Sequence, residues 1–198
     1  MGRNPRYNIL FEPVQIGPVT TRNRFFQVPN ASSTGHELPN IRAGLRSIRA
    51  EGGWGVVCTG YCSIHPSSDD APHRYSRLWD DKDVRNLSLM TDAVHQHGAL
   101  AGVELYYGSS HVRNLYTRET VLSPSGVPIN TSSGTPLLHS RAMDKNDIRS
   151  LRGWQVDAAR EREMLDSILF MFTVACDLGR ISFCPGIRII DPTNTVVA

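Results

Sequence analysis

Apolar segments of strand length alternate along this chain with amphipathic segments of helix length, and that rhythm restricts the fold more than any other feature. Arg24 to Val28 (RFFQV) has the character of a buried strand. Asn40 to Glu51 (NIRAGLRSIRAE) repeats apolar residues at helical spacing, with Ile41, Leu45 and Ile48 on one face, and Gly52 and Gly53 stop it. Trp54 to Tyr61 (WGVVCTGY) reads as the next strand. Beyond the polar loop HPSSDDAPHRYSR, a helix from Asp81 to His97 carries the stripe Val84, Leu87, Thr91, Val94 and ends at Gly98. Ala99 to Leu105 is a third strand. After an excursion from Tyr106 to Met143 rich in Ser, Thr, Pro and Gly, Asp144 opens a helix running from Asn146 to Glu163. Ahead of this series, Asn8 to Val19 (NILFEPVQIGPV) alternates apolar and polar residues and is broken by Pro13, Gly17 and Pro18, which predicts a short hairpin over the end of the domain.

Such alternation argues for an α/β fold with a parallel sheet covered by helices, either an open doubly wound sheet or a β/α barrel. Local pattern does not choose between them. A barrel takes about 250 residues. With 198 residues and three good strand–helix pairs, a barrel here is partial. The balance of 21 Lys+Arg against 19 Asp+Glu, without a basic cluster, gives no footprint for nucleic acid. Ile168 to Cys176, the longest apolar stretch, falls well short of the roughly 20 residues of a bilayer-spanning helix. The opening MGRNPRYN lacks the apolar core of a secretory signal, so a cytoplasmic protein is expected. Cys58, Cys62, Cys176 and Cys184 form no CxxC pair; they are read as free thiols, with no iron–sulfur cluster in this chain.

Carboxyl ends of strands line the ligand site in either architecture. They fall at Gln27 to Ala31, Thr59 to Cys62 and Glu104 to Gly108. Glu104, between Val103 and Leu105, faces the sheet interior and needs a donor, either a ligand N–H or an arginine within a structural ion pair. Tyr61, Tyr106 and Tyr107 offer aromatic walls for a flat cofactor or a cationic amine, or are ordinary half-buried tyrosines. His95 and His97 do not share a helical face and are read as solvent-facing; Asp69, Asp70 and His73 are read as a hydrated loop, and no metal site is expected. No GxGxxG, Walker or GxSxG motif occurs.

RNRFFQVPN, AEGGWGVVCTGYCSI, WDDKDVRNLSLMTDAVHQHGALAGVELYYG and the helix ending in VDAAR, in that order from Asn4 to Arg162, resemble a known family. It is the old yellow enzyme group of NADH:flavin oxidoreductases, in its trimethylamine dehydrogenase and histamine dehydrogenase-like branch, and the resemblance covers the amino-terminal half of the FMN barrel only. It implies a partial TIM (β/α)8 barrel consisting of the hairpin and the first three to four β/α units. It further implies FMN over the strand carboxyl ends, with Val28, Pro29, Asn30 and Ala31 beneath the isoalloxazine, Tyr61 beside flavin and substrate, and Glu104 near the pyrimidine edge. Family members pass a hydride from an amine-type substrate or from NAD(P)H to the flavin. In trimethylamine dehydrogenase a cysteine directly after the VPx stretch attaches the flavin; Ala31 stands there in this chain, so FMN is expected to be noncovalent.

The resemblance stops after Glu163, where a fourth strand like DAGFDIVYVYG is expected and the chain instead reads MLDSILFMFTVACDLGRISFCPGIRIIDPTNTVVA. With synonymous codons chosen freely, a frame starting at the third base of the Met164 codon can encode AGFDIVYVYG, and the same frame can encode HQFLS from Arg180 to Cys184 and DEYGGS from Pro192 to Ala198. Residues 1–163 are therefore expected to be the first part of the barrel and 164–198 an out-of-frame tail, with Ile168 to Cys176 able to pair as a makeshift fourth strand. The expected activity is that of a truncated FMN-dependent oxidoreductase of the amine dehydrogenase or N-demethylase type, its catalytic acid and base unassigned. The alternatives are a noncatalytic fragment, or a half-barrel that holds FMN only with a complementing chain.

Overall fold

A computed structural model describes residues 4–32, 34–68, 75–108, 114, 116–126, 139–161 and 169–174. A 3-10 helix, Pro5–Phe11, leads into an antiparallel hairpin of β1 (Val14–Ile16) and β2 (Val19–Thr21). The hairpin thus starts later than its expected span, because Asn4 caps a helical turn with its side chain, accepting from the Arg6 N–H at 3.0 Å. The main sheet has the order β3 (Phe26–Gln27), β4 (Val56–Ser63), β6 (Leu100–Tyr107), β9 (Leu169–Val174), with β5 (Ser76–Arg77) also on β4, and every pairing in it is parallel. α1 (Pro39–Glu51) joins β3 to β4, α2 (Asp81–His95) joins β5 to β6, and α3 (Lys145–Glu161) precedes β9. The expected makeshift strand is present: β9 lies beside β6 from Gly102↔Leu169 to Tyr107↔Val174. Within the loop expected between β6 and α3, β7 (Val121–Ser123) and β8 (Ser140–Ala142) form a further parallel pair.

Helix ends follow the capping chemistry legible in the sequence. The Asp80 carboxylate accepts from the Asp83 N–H at 2.8 Å, and Asp144 accepts from the N–H groups of Asn146 at 2.7 Å and Asp147 at 2.9 Å. At the opposite pole, the Arg22 guanidinium donates to the carbonyls of His97, Ala50 and Trp54 at 2.5, 2.6 and 2.9 Å. One side chain from the segment after the hairpin thereby satisfies carbonyls left open where α1 and α2 finish.

Packing divides cleanly by sheet face. On the helix side, Val57 and Ala101 meet Ala43 and Ala50 of α1 and Met90 and Val94 of α2. Further along, Cys62, Ile64, Val103, Leu105 and Tyr107 meet Val84, Leu87 and Ala158. On the other face, Val56 and Cys58 pack with Ile16, Phe26 and Leu100. The α2 stripe Val84, Leu87, Thr91, Val94 is buried as its spacing predicts. α1 differs: Ile41, Leu45 and Ile48 do share a face, but it is the outward one, exposed by 52%, 42% and 65%, while Arg42, Ala43, Arg46 and Ala50 turn inward. Sheet contact there requires short side chains, which alanine supplies. His97 also departs from expectation, since its Nε2 lies 3.0 Å from Ser47 Oγ and ties the end of α2 to α1; both His95 and His97 are half-buried rather than solvent-facing. Among the described residues, no helix is long and apolar enough to cross a membrane.

Candidate active site

β3 is short. It pairs with β4 only at Phe26↔Val56 and Gln27↔Val57, and the following chain stays close through the Asn30 N–H to Thr59 carbonyl bond at 3.3 Å. A β-bulge then puts one extra residue into β4: Cys58 faces Gly102, but the next pairing is Tyr61↔Glu104. Gly60 lies within the bulge, and a Cβ there would come to 3.0 Å of both Ala31 Cα and the Asn30 carbonyl oxygen. This close approach requires glycine and presses the Val28–Ala31 segment onto the end of β4.

Two consequences follow for Tyr61, Glu104 and Ala31. Tyr61 and Glu104 become register partners on adjacent strands, with the Glu104 N–H donating to Thr59 Oγ1 at 3.3 Å, and Tyr61 and Ala31 line one small cleft, with room for about a water molecule, that is partly open to solvent. The three side chains thus sit at one end of the sheet. Val28, Asn30 and Ala31 are exposed there, Val28 by 63%, and Pro29 is half-buried.

The tyrosines separate. Tyr61 stacks on Tyr75 with ring centroids 4.0 Å apart and packs tilted by 30° against Tyr106 at 4.1 Å, a run of three rings. Tyr107 is not part of it. It is buried on the helix side, stacked on Trp154 at 5.7 Å with its hydroxyl 3.2 Å from Ser67 Oγ, and burial pushes its pKa up. Strand alternation alone requires this, since Tyr106 and Tyr107 are neighbours and point to opposite faces.

Arginine makes up the support. Arg46, with no exposed surface, donates to Gln27 Oε1 at 3.1 Å, to Asn30 Oδ1 at 2.7 Å and to the Asn30 carbonyl at 2.5 Å, and Arg49 adds a bond to Asn30 Oδ1 at 3.1 Å. Burial, and then the neighbouring charge of Arg49, push Arg46 down to about 10. The sequence reading missed Tyr75, Arg42 and Arg46. The only signal was the recurrence of arginine at 42, 46 and 49, a helical period running alongside the apolar one. Cys58 and Cys62 are free and buried; Cys176, Cys184, Asp69, Asp70 and His73 lie outside the described residues. Among the described residues, no group of three or more His, Cys, Asp or Glu side chains is placed to hold a metal ion.

A parallel β/α array with an apolar shelf, a group of tyrosine rings and a carboxylate at the strand carboxyl ends has the arrangement of the first units of a β/α barrel. The chain belongs to the NADH:flavin oxidoreductase / NADH oxidase family, whose model matches residues 9–163. It is similar to dimethylamine dehydrogenase of Hyphomicrobium sp. (strain x), 43% identical over 162 residues that make up 80% of this chain and 22% of that protein. Among solved structures, histamine dehydrogenase from Rhizobium sp. 4-9 superposes with a TM-score of 0.81 at 44% identity, covering 86% of this chain and 26% of that one. The 6-hydroxypseudooxynicotine amine oxidase of Pseudomonas geniculata N1 gives 0.77 at 43% identity, covering 84% and 24%. The chain therefore spans about a quarter of the length of these relatives.

Proposed function

We propose that this chain forms the flavin-contacting opening of an FMN-dependent oxidoreductase acting on an amine-type substrate. The observation that carries the reading is the convergence of the exposed Val28–Ala31 segment, the Tyr61 ring and the Glu104 carboxylate on one end of β3, β4 and β6. These residues fit FMN. Val28, Pro29 and Ala31 present apolar surface to one face of a planar ring, Glu104 is the acceptor for an N–H at its pyrimidine edge, and Tyr61 forms a side wall shared with the substrate. Ala31 offers no thiol, so the group is held without a covalent bond. FMN, when bound, supplies the hydride acceptor. Amine recognition falls to the Tyr61–Tyr75–Tyr106 stack, whose faces attract a cationic or methylated nitrogen. NAD(P)H is the other hydride source open to this family.

A second reading, that a further segment or a complementing chain must supply the rest of the site, draws support from the match to only 22–26% of the relatives' length. A third, a noncatalytic fragment, is the outcome if neither condition binds flavin. We also infer that residues 164–198 are translated out of frame. The family match, which stops at residue 163, supports this, and coding DNA incompatible with the recovered peptides would overturn it.

The deciding measurement is quenching of FMN fluorescence on titration with the full chain. Saturable quenching, weakened about tenfold by Glu104→Gln as expected for one lost charged hydrogen bond, supports the first reading. Quenching that requires the remaining barrel strands, added as a second polypeptide, selects the second.

A further inference from the structure

The exposed Val28–Ala31 segment has a buried cation behind it. Arg46 of α1 has no exposed surface, and it reaches the segment at Asn30, donating to the side-chain oxygen at 2.7 Å and to the carbonyl at 2.5 Å. Its third acceptor is Gln27 Oε1 at 3.1 Å. All three are neutral amide oxygens. Among the described residues no carboxylate forms an ion pair with Arg46, and its own helix adds the positive charges of Arg49 and Arg42. The Cys58 thiol, which would offset the charge as a thiolate, is held protonated by burial. At about 10, Arg46 itself remains cationic at neutral pH.

The bond to the Asn30 carbonyl also fixes a direction. In a trans peptide the N–H points opposite to the carbonyl, and none of the described peptide bonds is cis. With the Asn30 oxygen held by Arg46, the Ala31 N–H on the same peptide is turned away from the guanidinium. A cation bonded at the acceptor end of a peptide polarises the donor at its other end, because hydrogen bonds in series strengthen one another.

We propose that Arg46 is a positioning residue for the flavin site, orienting and polarising the Asn30–Ala31 peptide so that the site holds a reduced flavin more tightly than an oxidised one. The inference rests on the reading of Val28–Ala31 as the surface beneath FMN. Hydride uptake, two electrons and one proton, adds one negative charge to the site, and a buried cation with no carboxylate partner favours that state.

The test is a dye-coupled reductive titration of FMN bound to the full chain, supplemented with the remaining barrel strands as a second polypeptide where the chain alone binds no flavin. In Arg46→Met, reduced FMN should lose about tenfold more affinity than oxidised FMN, which lowers the two-electron midpoint by about 30 mV. Arg46→Lys, which retains the charge, should recover most of that shift. Arg46→Gln keeps an N–H donor without the charge and gives the same readout if Arg46→Met does not fold. An arginine that only supports the segment would weaken both redox states alike, so an unchanged midpoint in the neutral variants, with FMN still bound, overturns the proposal alone. No flavin bound by the wild-type chain under either condition overturns the reading of the segment, and the proposal with it.

Discussion

Tyr61 and Glu104 stand opposite each other across the β4–β6 ladder only because β4 carries one more residue than its partner between Cys58 and Tyr61. The extra residue is accommodated at Gly60, against the backbone of Asn30 and Ala31. Gly60→Ala should therefore cost about 1–3 kcal/mol, the range for overpacking a rigid site. The contacted atoms are backbone and yield little. Urea denaturation measures the loss, and a cost near zero would mean that the segment after β3 shifts freely.

Arg46 is the buried post on which that segment rests. Arg46→Met keeps the volume and removes the donors, leaving Gln27 Oε1 and Asn30 Oδ1 without that guanidinium. The expected destabilisation is about 1.5–3 kcal/mol for hydrogen bonds to a charged group, with a lowered urea midpoint at unchanged slope.

Burial pushes the Cys58 thiol up from its ordinary 9.0 to about 12 and the Cys62 thiol to about 11. The folded protein therefore binds these protons more tightly than the unfolded chain. Stability from this source is fully present below pH 9.0 and is lost as pH rises toward 11 and then 12. With Cys176→Ser and Cys184→Ser in place, a thiol reagent at pH 8 should label neither remaining cysteine until denaturant is added. Prompt labelling would place one of them at the surface.

Ile41, Leu45 and Ile48 contribute little to the fold although they look like core. Replacing all three by glutamine should change stability by about 0.5 kcal/mol or less per site while reducing self-association, read by denaturation and by light scattering. A loss of several kcal/mol would mean that this face is covered.

Much of the fold was legible because its strands are nearly continuous apolar runs, glycine follows α1 and α2, and aspartate opens α2 and α3. α2 shows both cues, and its buried stripe matches the periodic one. α1 misleads because periodicity reports that a helix has two faces, not which of them is inner; alanines and an arginine whose terminal nitrogens reach three acceptors outcompete isoleucine where the sheet is close. Of the site, Tyr61 and Glu104 were legible as strand-end residues. Their pairing was not, since a bulge has no sequence signal beyond one glycine. Tyr75 and Arg42 reach the same end from outside the runs that attract notice, one ahead of a two-residue strand and the other from a helix flank.

The inserted residue in β4 also sets the phase of everything after it. Before it, Val57 looks toward the helices; after it, Cys62 and Ile64 do. Excising one residue at Thr59–Gly60 would remove the bulge and leave Tyr61 opposite Glu104 and Cys62 opposite Leu105, whereas excising one elsewhere in β4 would put the residues on one side of the cut out of step with β6. Tolerance to single-residue deletions within β4 should accordingly be greatest at that point and fall away on either side of it, making the surplus residue the one place where this strand can shorten without turning its side chains over.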